Sequence, residues 1–374
     1  MGGLLDGRKL LVVGGAGFVG ANLVRRALAE NAARIAVVDN LLSSEPDNLP
    51  ADRRVELRAG SIADDALLAE LRDEYDYVFH LATYHGNQNS IANPLADHDN
   101  NLLTTLKLCE RLKGWKRLAR IVYASTGCAL AEKEALAAKP VVEDGPIPLD
   151  FDSPYQISKV VGEMYLLHYH RAHGLPAVRA RFQNVYGPGE VLGAGQWRGT
   201  PATVWRNVVP TFVYRALKRQ PLQIHGAGES SRDFIYVGDI VEGLLRCALT
   251  DGVAGDVFNL ASGVEVTIRE LAEKINALTG NTAPIEFIPA REWDRSIRRV
   301  GSAEKAQRRL GFRAQVSLDE GLRQTVAWTR ENLPRIERCI RKHRARCPAQ
   351  FQRPPGRNRK RPAFRDVNSS GSAS

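Results

Sequence analysis

The sequence predicts an α/β protein, a doubly wound parallel sheet with helices on both faces and a smaller C-terminal α/β lobe. Three observations support this. Short apolar runs alternate with helical stretches through the first half of the chain, the pattern of a parallel sheet covered on both sides. A glycine run, Gly14-Gly15-Ala16-Gly17-Phe18-Val19-Gly20, follows the first apolar run at once. An acidic residue, Asp39, stands at the end of the second run, nineteen residues after Gly20.

Leu10 to Val13 suits a short buried strand, and Ala21 to Glu30 reads as a helix with Leu23, Ala27 and Leu28 on one face. A strand, a tight glycine turn and a helix N-terminus make an anion site. Glycine lets the backbone turn sharply and approach a pyrophosphate, while free N–H groups and the helix dipole face the negative charge. Gly14, Gly17, Phe18, Val19 and Gly20 are therefore candidate cofactor-binding residues. Arg34 to Val38 is the second strand, and Asp39 lies where a dinucleotide fingerprint places the acid that bonds the adenosine ribose. A carboxylate there repels the extra phosphate of NADP, and Asn40 to Ser44 contains no Arg or Lys. The cofactor expected is NAD, with Asn40 beside Asp39 as a further contact.

Val55 to Ala59 is a third strand, and Ser61 and Ile62 at its C-terminal end should border the adenine. Ala63 to Glu74 reads as a helix. Tyr77 to Ala82 is a fourth strand that carries Leu81, Ala82 and Thr83 into the same crevice, together with the polar stretch as far as Asn93. Asn100 to Leu112 reads as a long helix with a stripe at Leu102, Leu106 and Cys109. Arg120 to Ala124 is a fifth strand ending in Ser125-Thr126. Pro154 opens a helix from Tyr155 to His173, which Gly174 and Pro176 close. Tyr155 and Lys159 are four apart and share a face of it. Ala177 to Phe182 is a sixth strand, followed by Asn184 to Gly189.

From about residue 187 the texture changes. A loop rich in Gly, Trp and Arg (190–206) precedes Asn207 and a helix near Pro210 to Arg219. Ser231 to Val237 and a helix from Asp239 follow. Thr267 with Glu270, and Ser317 with Glu320, have the spacing of capping boxes before apolar helical patterns. The organisation expected is an NAD-binding domain over 1–186, with some later segments returning to it, and a lobe over 187–334 that clasps substrate over the cofactor. A basic tail over 335–374 is expected to be disordered.

The net charge of +10 resides in that tail, where residues 335–374 hold twelve Lys or Arg against two acidic residues. The body carries 40 of each sign and is neutral, which argues against a nucleic-acid-binding body. A solvated extension and an electrostatic contact with nucleic acid or an anionic surface through Arg357 to Arg361 are both open readings of the tail. No apolar run is long enough to span a bilayer, and the N-terminus lacks a signal-peptide pattern. Five scattered cysteines without a CxxC pair imply reduced thiols, a cytoplasmic setting and no metal site.

These residues together resemble the extended short-chain dehydrogenase/reductases that act on nucleotide-diphosphate sugars, in particular the NAD-dependent epimerase/dehydratase group typified by UDP-glucose 4-epimerase. The resemblance covers about residues 8–330. It rests on the glycines, Asp39, His80-Leu81-Ala82, Asp99-Asn100-Asn101, Ser125-Thr126, Tyr155 with Lys159, Arg181 to Gly189 and Arg232 to Val237. It implies a Rossmann-type fold in which Tyr155 takes the proton of a sugar hydroxyl as hydride passes to NAD. Free tyrosine, with a pKa of about 10, is too weak a base near neutrality. Lys159, bonded to the nicotinamide ribose, would favour the phenolate. Thr126 would share the proton path and Asn100 would help hold the network. Asn184 and Arg232 match positions that bind the nucleotide diphosphate, while Asn207 and Arg291, with Asp294, correspond to ribose and phosphate contacts. His85, Asn87 and Ser125 should lie near the sugar, with His85 shaping the pocket rather than titrating. A homodimer through the helices at Asn100–Leu112 and Tyr155–His173 is also implied.

Departures from the family pattern narrow the reaction. Gly127-Cys128 replaces the acids that dehydratases and decarboxylases carry after the catalytic Thr. Transient oxidation at C4 with hydride return needs no such acid, which favours a UDP-sugar 4-epimerase. Ala129-Leu130-Ala131 replaces Val-Tyr-Gly, Ser61 replaces an Asp, and Gln183 replaces an aromatic beside the nicotinamide. The alternatives are a UDP-glucuronate decarboxylase or another NDP-sugar dehydratase or reductase of the family, and a non-enzymatic NAD-binding scaffold. Arg295, Arg298 and Arg299 are open between a uronate contact and surface charge.

Overall fold

In the computed structural model, which describes residues 2–127, 139–295 and 297–347, the apolar runs form one parallel sheet. Its first six strands are β1 (Lys9–Val13), β2 (Arg34–Asp39), β3 (Val55–Ala59), β4 (Tyr77–His80), β5 (Arg120–Thr126) and β6 (Ala177–Phe182). The chain then leaves through β7 (Asn184–Tyr186), β8 (Leu222–His225) and β9 (Ser231–Tyr236), and returns to add β10 (Val257–Leu260). The order across the sheet is β10-β6-β5-β4-β1-β2-β3, so its direction of growth reverses between β1 and β4. A crevice opens at such a reversal, above the strands' C-terminal ends.

Alternation along the strands feeds two cores. Leu10, Val12, Ile35 and Val37 face α1 (Phe18–Ala29) and α8 (Val237–Leu249). Leu11, Val13, Val78 and Ile121 face the opposite side. There the covering helices are α2 (Asp65–Glu70), α5 (Thr104–Leu112) and α6 (Pro154–His173). Successive strand residues point to opposite faces, so buried runs such as Leu-Leu-Val-Val serve both.

The helical expectations are met with changes. α1 begins at Phe18, within the glycine turn itself. The helix read over 63–74 shrinks to α2, whose first turn is capped by the Asp64 side chain. The polar stretch after β4 folds into α3 (Asn87–Ala92) and α4 (Pro94–Asp97). The long helix read from Asn100 starts instead as a π-helical stretch, His98–Leu103, before continuing as α5.

The C-terminal lobe is built from α7 (Val208–Leu217), β8 and β9, β11 (Glu265–Thr267), α9 (Ile268–Thr279), β12 (Ile285–Ile288), β13 (Arg298–Arg299) and α11 (Leu318–Glu331). α10 (Glu304–Leu310) packs back on the first domain through Ala306 and Leu310. The capping box at Thr267 and Glu270 forms in both directions. At Ser317 only the serine half forms, because the Glu320 carboxylate turns to Arg323 and Gln324.

The boundary at Pro334 is corrected. The folded chain runs on through α12 (Leu333–Arg341) to Cys347. Ile336, Cys339 and Ile340, at spacings of three and four, make a small apolar face that the surrounding basic residues conceal in the sequence. They pack with Val191, Leu192 and Ala194. Residues 348–374, with the Arg357–Arg361 cluster, lie outside the described residues, as do Cys128 and Ala129-Leu130-Ala131.

Candidate active site

Every residue assigned to cofactor, substrate or catalysis, the open cases Arg295 and Arg298 apart, borders one cavity of about 1200 Å³ above the crevice. That volume exceeds an ordinary small-molecule pocket and leaves room for a dinucleotide and a nucleotide sugar together. Gly14, Gly17, Phe18, Val19, Gly20, Asp39, Asn40, Ser61 and Ile62 form one end. Leu81, Ala82, Thr83 and Asn100 lie at the reversal point, with Ser125, Thr126, Tyr155 and Lys159 beside them. His85, Asn87, Asn184, Asn207, Arg232 and Arg291 complete the wall toward the C-terminal lobe.

The glycine turn is shaped for a pyrophosphate. Gly14 has φ of +83°, and a Cβ there would lie 2.5 Å from the Ala82 amide nitrogen. α1 has Gly17 as its N-cap, without a side-chain cap bond, and no acidic residue in its first turn, so its first N–H groups and positive dipole end are left for an anion. The Asp39 carboxylate holds this turn as well as bordering the cavity. It accepts from Ala16 N at 2.9 Å and from Leu41 N and Ser44 Oγ, each at 2.9 Å. These residues fit a dinucleotide.

Tyr155 and Lys159 are presented by the first two turns of α6, whose N-cap Ser153 bonds both Gln156 N and Asn87. Lys159 is 2 % exposed, and its Nζ donates to Ala124 O at 3.0 Å. Burial pushes its ammonium down to about 8, against the pull of Asp97 and Glu163. Burial likewise raises the Asp97 carboxyl, so desolvation outweighs their mutual attraction on both sides. Asn101, not Asn100, ties this region together. Its Oδ1 accepts from Tyr84 N at 2.7 Å and from Thr83 Oγ1, and its Nδ2 donates to Asp97 and Ser158. Asn100 stays at the cavity wall, bonded to Asn40 and Ala96 O. A bidentate buried pair, Arg181 with Glu163 at 2.7 and 2.9 Å, pins α6 to β6.

His85 lies edge-on to Tyr155, with ring centroids 6.2 Å apart. Burial pushes its imidazole down to about 3, so it is neutral at physiological pH, in keeping with a shaping role. Gly127 lies against Gln183. A Cβ at 127 would lie 2.1 Å from the Gln183 amide nitrogen, so the end of that flexible side chain, which also packs against Gly301, would have to swing aside. Toward the C-terminal lobe, Arg232 pairs with Asp294 at 3.2 Å, and Arg291 stacks over Trp293. Arg299 faces Asp294 and Asp152, Arg295 faces Asp150 and Asp152, and Arg298 faces Glu265. Of these last three only Arg299 reaches the cavity.

Sequence reasoning missed Glu190, Arg206 and Arg215 as cavity residues. Burial raises the Glu190 carboxyl to about 7, and it accepts from the Asn207 amide. The Gly-, Trp- and Arg-rich loop was visible, but its side-chain directions depend on contacts distant in sequence. Among the described residues no group of His, Cys, Asp or Glu is placed to hold a metal ion, and no helix is long and apolar enough to cross a membrane.

The sequence profile of the NAD dependent epimerase/dehydratase family matches residues 10–261. The chain belongs to the NAD-dependent epimerase/dehydratase family. Its cofactor is NAD. Among solved structures it is similar to the Bordetella bronchiseptica enzyme WbmF in complex with NAD+ and UDP, at 54 % identity and a TM-score of 0.82 over 91 % of this chain and 98 % of that one. It is similar to a UDP-glucose 4-epimerase of Mycolicibacterium smegmatis, 32 % identical over 86 % of this chain and 98 % of the relative. It is also similar to UDP-glucuronic acid decarboxylase 1 of Arabidopsis thaliana, 30 % identical over 85 % of this chain and 69 % of the relative. Members of this family act on sugar nucleotides in both epimerising and decarboxylating branches, and the chain resembles both.

Proposed function

We propose that the protein is a UDP-sugar 4-epimerase that oxidises the sugar transiently at C4 and restores it with inverted configuration. The observation that carries this reading is the end of β5. Thr126, Tyr155 and Lys159 border the cavity there, while Gly127 supplies no acid. NAD, when bound, supplies the hydride acceptor and donor.

Tyr155 accepts the proton of the C4 hydroxyl and returns it after the sugar has turned its other face. Lys159, a cation in a buried setting, favours the phenolate and orients the nicotinamide ribose. Thr126 holds the hydroxyl between them. Asn184, Arg232 and Arg291 bind the diphosphate, and Asn207 the nucleotide ribose. Arginine suits this because its fork is permanently charged and meets phosphate oxygens in pairs. The UDP in the Bordetella structure supports uridine as the nucleotide.

A homodimer is part of the same reading. Leu95, Ile157 and Met164 are exposed at 76, 47 and 52 %, on α4 and α6. Ile157 and Met164, two turns apart on α6, and Leu95 supply exposed apolar side chains for a second copy of the chain.

The test is incubation with UDP-glucose, UDP-N-acetylglucosamine and UDP-glucuronate in turn, with products separated by chromatography and NADH absorbance followed. A C4 epimer without net NADH is expected, and Tyr155→Phe should abolish it. A pentose product places the enzyme with the decarboxylases. Function retained in Tyr155→Phe points to a scaffold.

A further inference from the structure

The geometry points to the C-terminal segment Leu333–Cys347 as a strap that locks the loop over the NAD cleft, so that cofactor release requires its detachment. Three layers lie one on another. The innermost is the loop after Asp39, whose Asn40, Leu42, Ser43 and Ser44 border the cavity. The next is the Gly189–Arg206 loop. Gln196 N donates to Leu42 O at 2.9 Å, Arg198 Nη1 to Ser43 Oγ at 2.9 Å, and Arg206 Nη1 to Ser43 O at 3.1 Å. The outermost is α12.

Two glycines allow this stacking. Gly195, at φ +81°, presses on the Leu42 and Ser43 backbone, while a Cβ at Gly193, φ +72°, would lie 2.8 Å from the Cys339 backbone. Side chains larger than hydrogen would separate the layers. A small apolar core of Val191, Leu192, Ala194, Ile336 and Cys339 seals the outer two, bordered by Trp205, Tyr214, Trp328 and Ile340. His343 Nε2 bonds Gly193 O at 3.0 Å.

α12 also reaches past the middle layer to the cofactor loop itself. Lys342 pairs with Glu45, whose Oε1 also accepts from Gly195 N at 2.9 Å. Arg335 pairs with Asp47 and donates to Asn48 Oδ1 at 2.6 Å. Asn48 Nδ2 in turn donates to Ala16 O at 2.8 Å, inside the glycine turn. One side chain therefore connects the strap to the pyrophosphate cradle. The loop positions that contact the adenosine half cannot open outward while these bonds hold. The inference rests on NAD binding, which the family establishes, and not on which sugar is turned over.

Coupling between strap and cofactor is reciprocal. If the closed strap raises the affinity for NAD by slowing its release, bound NAD favours the closed strap by the same factor. The buried thiol of Cys339, 8 % exposed, reports closure. The full chain with NAD bound is chased with excess labelled NAD, and iodoacetamide labelling of Cys339 is followed by peptide mass spectrometry in the NAD-bound and NAD-stripped protein. Combined Arg335→Ala and Lys342→Ala should speed NAD release several-fold to about tenfold, the effect of two partly exposed ion pairs. Cys339 should label more slowly with NAD bound than without it. Arg335→Asp should release faster and Asp47→Arg, added to it, should restore retention, which a general loss of folding would not do. Lys274→Ala, which removes a bridge to Asp319 at the far end of α11, should leave release unchanged. Equal Cys339 labelling with and without NAD, or release unaffected by the α12 variants, overturns the proposal.

Discussion

Lys159 carries a sharp conflict of forces. It is a charge almost wholly withdrawn from solvent, tolerated because its Nζ meets the Ala124 carbonyl and because Asp97 and Glu163 are near. Lys159→Met should lower turnover by about 10²- to 10⁴-fold, the scale of lost acid–base assistance. It should not lower thermal stability at pH 7. The folded-state value of about 8 lies below the ordinary 10.5, so between those limits the unfolded chain binds more protons and wild-type stability rises with pH. Melting the NAD-stripped proteins at pH 7 and pH 10 checks the sign. The variant's advantage, up to about 3 kcal/mol, should shrink at the higher pH. A constant difference would contradict it. His85, held neutral by burial, should contribute no midpoint near pH 6.5 to the turnover profile. His85→Gln should leave the acid limb where it is, as measured by kcat against pH. At this scale the sequence was informative about placement wherever it follows from neighbours in the chain, as for Gly14, Asp39 or Tyr155 with Lys159, all of which border the cavity. It singled out Asn100, which borders the cavity, but not the adjacent Asn101, whose bonds to Tyr84 and Asp97 depend on which way the π-helical stretch points it.

Among the elements, the glycine turn and α6 decide whether the site exists. Gly14→Ala places a methyl group where the Ala82 backbone stands, in a backbone region that alanine rarely adopts. Protein carrying it should purify without NAD, as absorbance and nucleotide extraction would show; a full complement of NAD would contradict the close approach. α6 is held to β6 by the buried Arg181–Glu163 pair, each side chain 4 % exposed. Glu163→Gln leaves the guanidinium uncompensated and should cost about 3–5 kcal/mol, read from urea unfolding. A cost under about 1 kcal/mol, the range of surface pairs, would remove that pair as the anchor. Six of the seven central strands were legible from apolar runs. β10 was not, because four residues inside a stretch otherwise given to the second lobe carry too little periodicity. α12 was hidden for a different reason. Its apolar face is only one residue wide per turn, and basic side chains dominate its composition.

The whole molecule combines a neutral body with a C-terminal segment that carries the excess charge, and folding divides that segment. In its first part, to Cys347, Arg335 pairs with Asp47 and donates to the Asn48 side-chain oxygen, and Lys342 pairs with Glu45, all on the cofactor loop. A scan for charge alone cannot separate those cations from free ones. At this scale the proposed dimer is testable through its exposed apolar face. Leu95→Asp with Met164→Asp should give a monomer by light scattering, while the circular dichroism spectrum stays unchanged. A wild-type protein already monomeric at micromolar concentration would contradict it.

The central claim is that hydride leaves C4 of the sugar and returns to it. The most direct measurement uses UDP-glucose and UDP-N-acetylglucosamine deuterated at C4, turned over in ordinary water, with the epimer analysed by mass spectrometry. The expected result is a C4 epimer that keeps its deuterium, since the label passes to the cofactor and back without meeting solvent. An epimer that has lost the label to water would contradict the account.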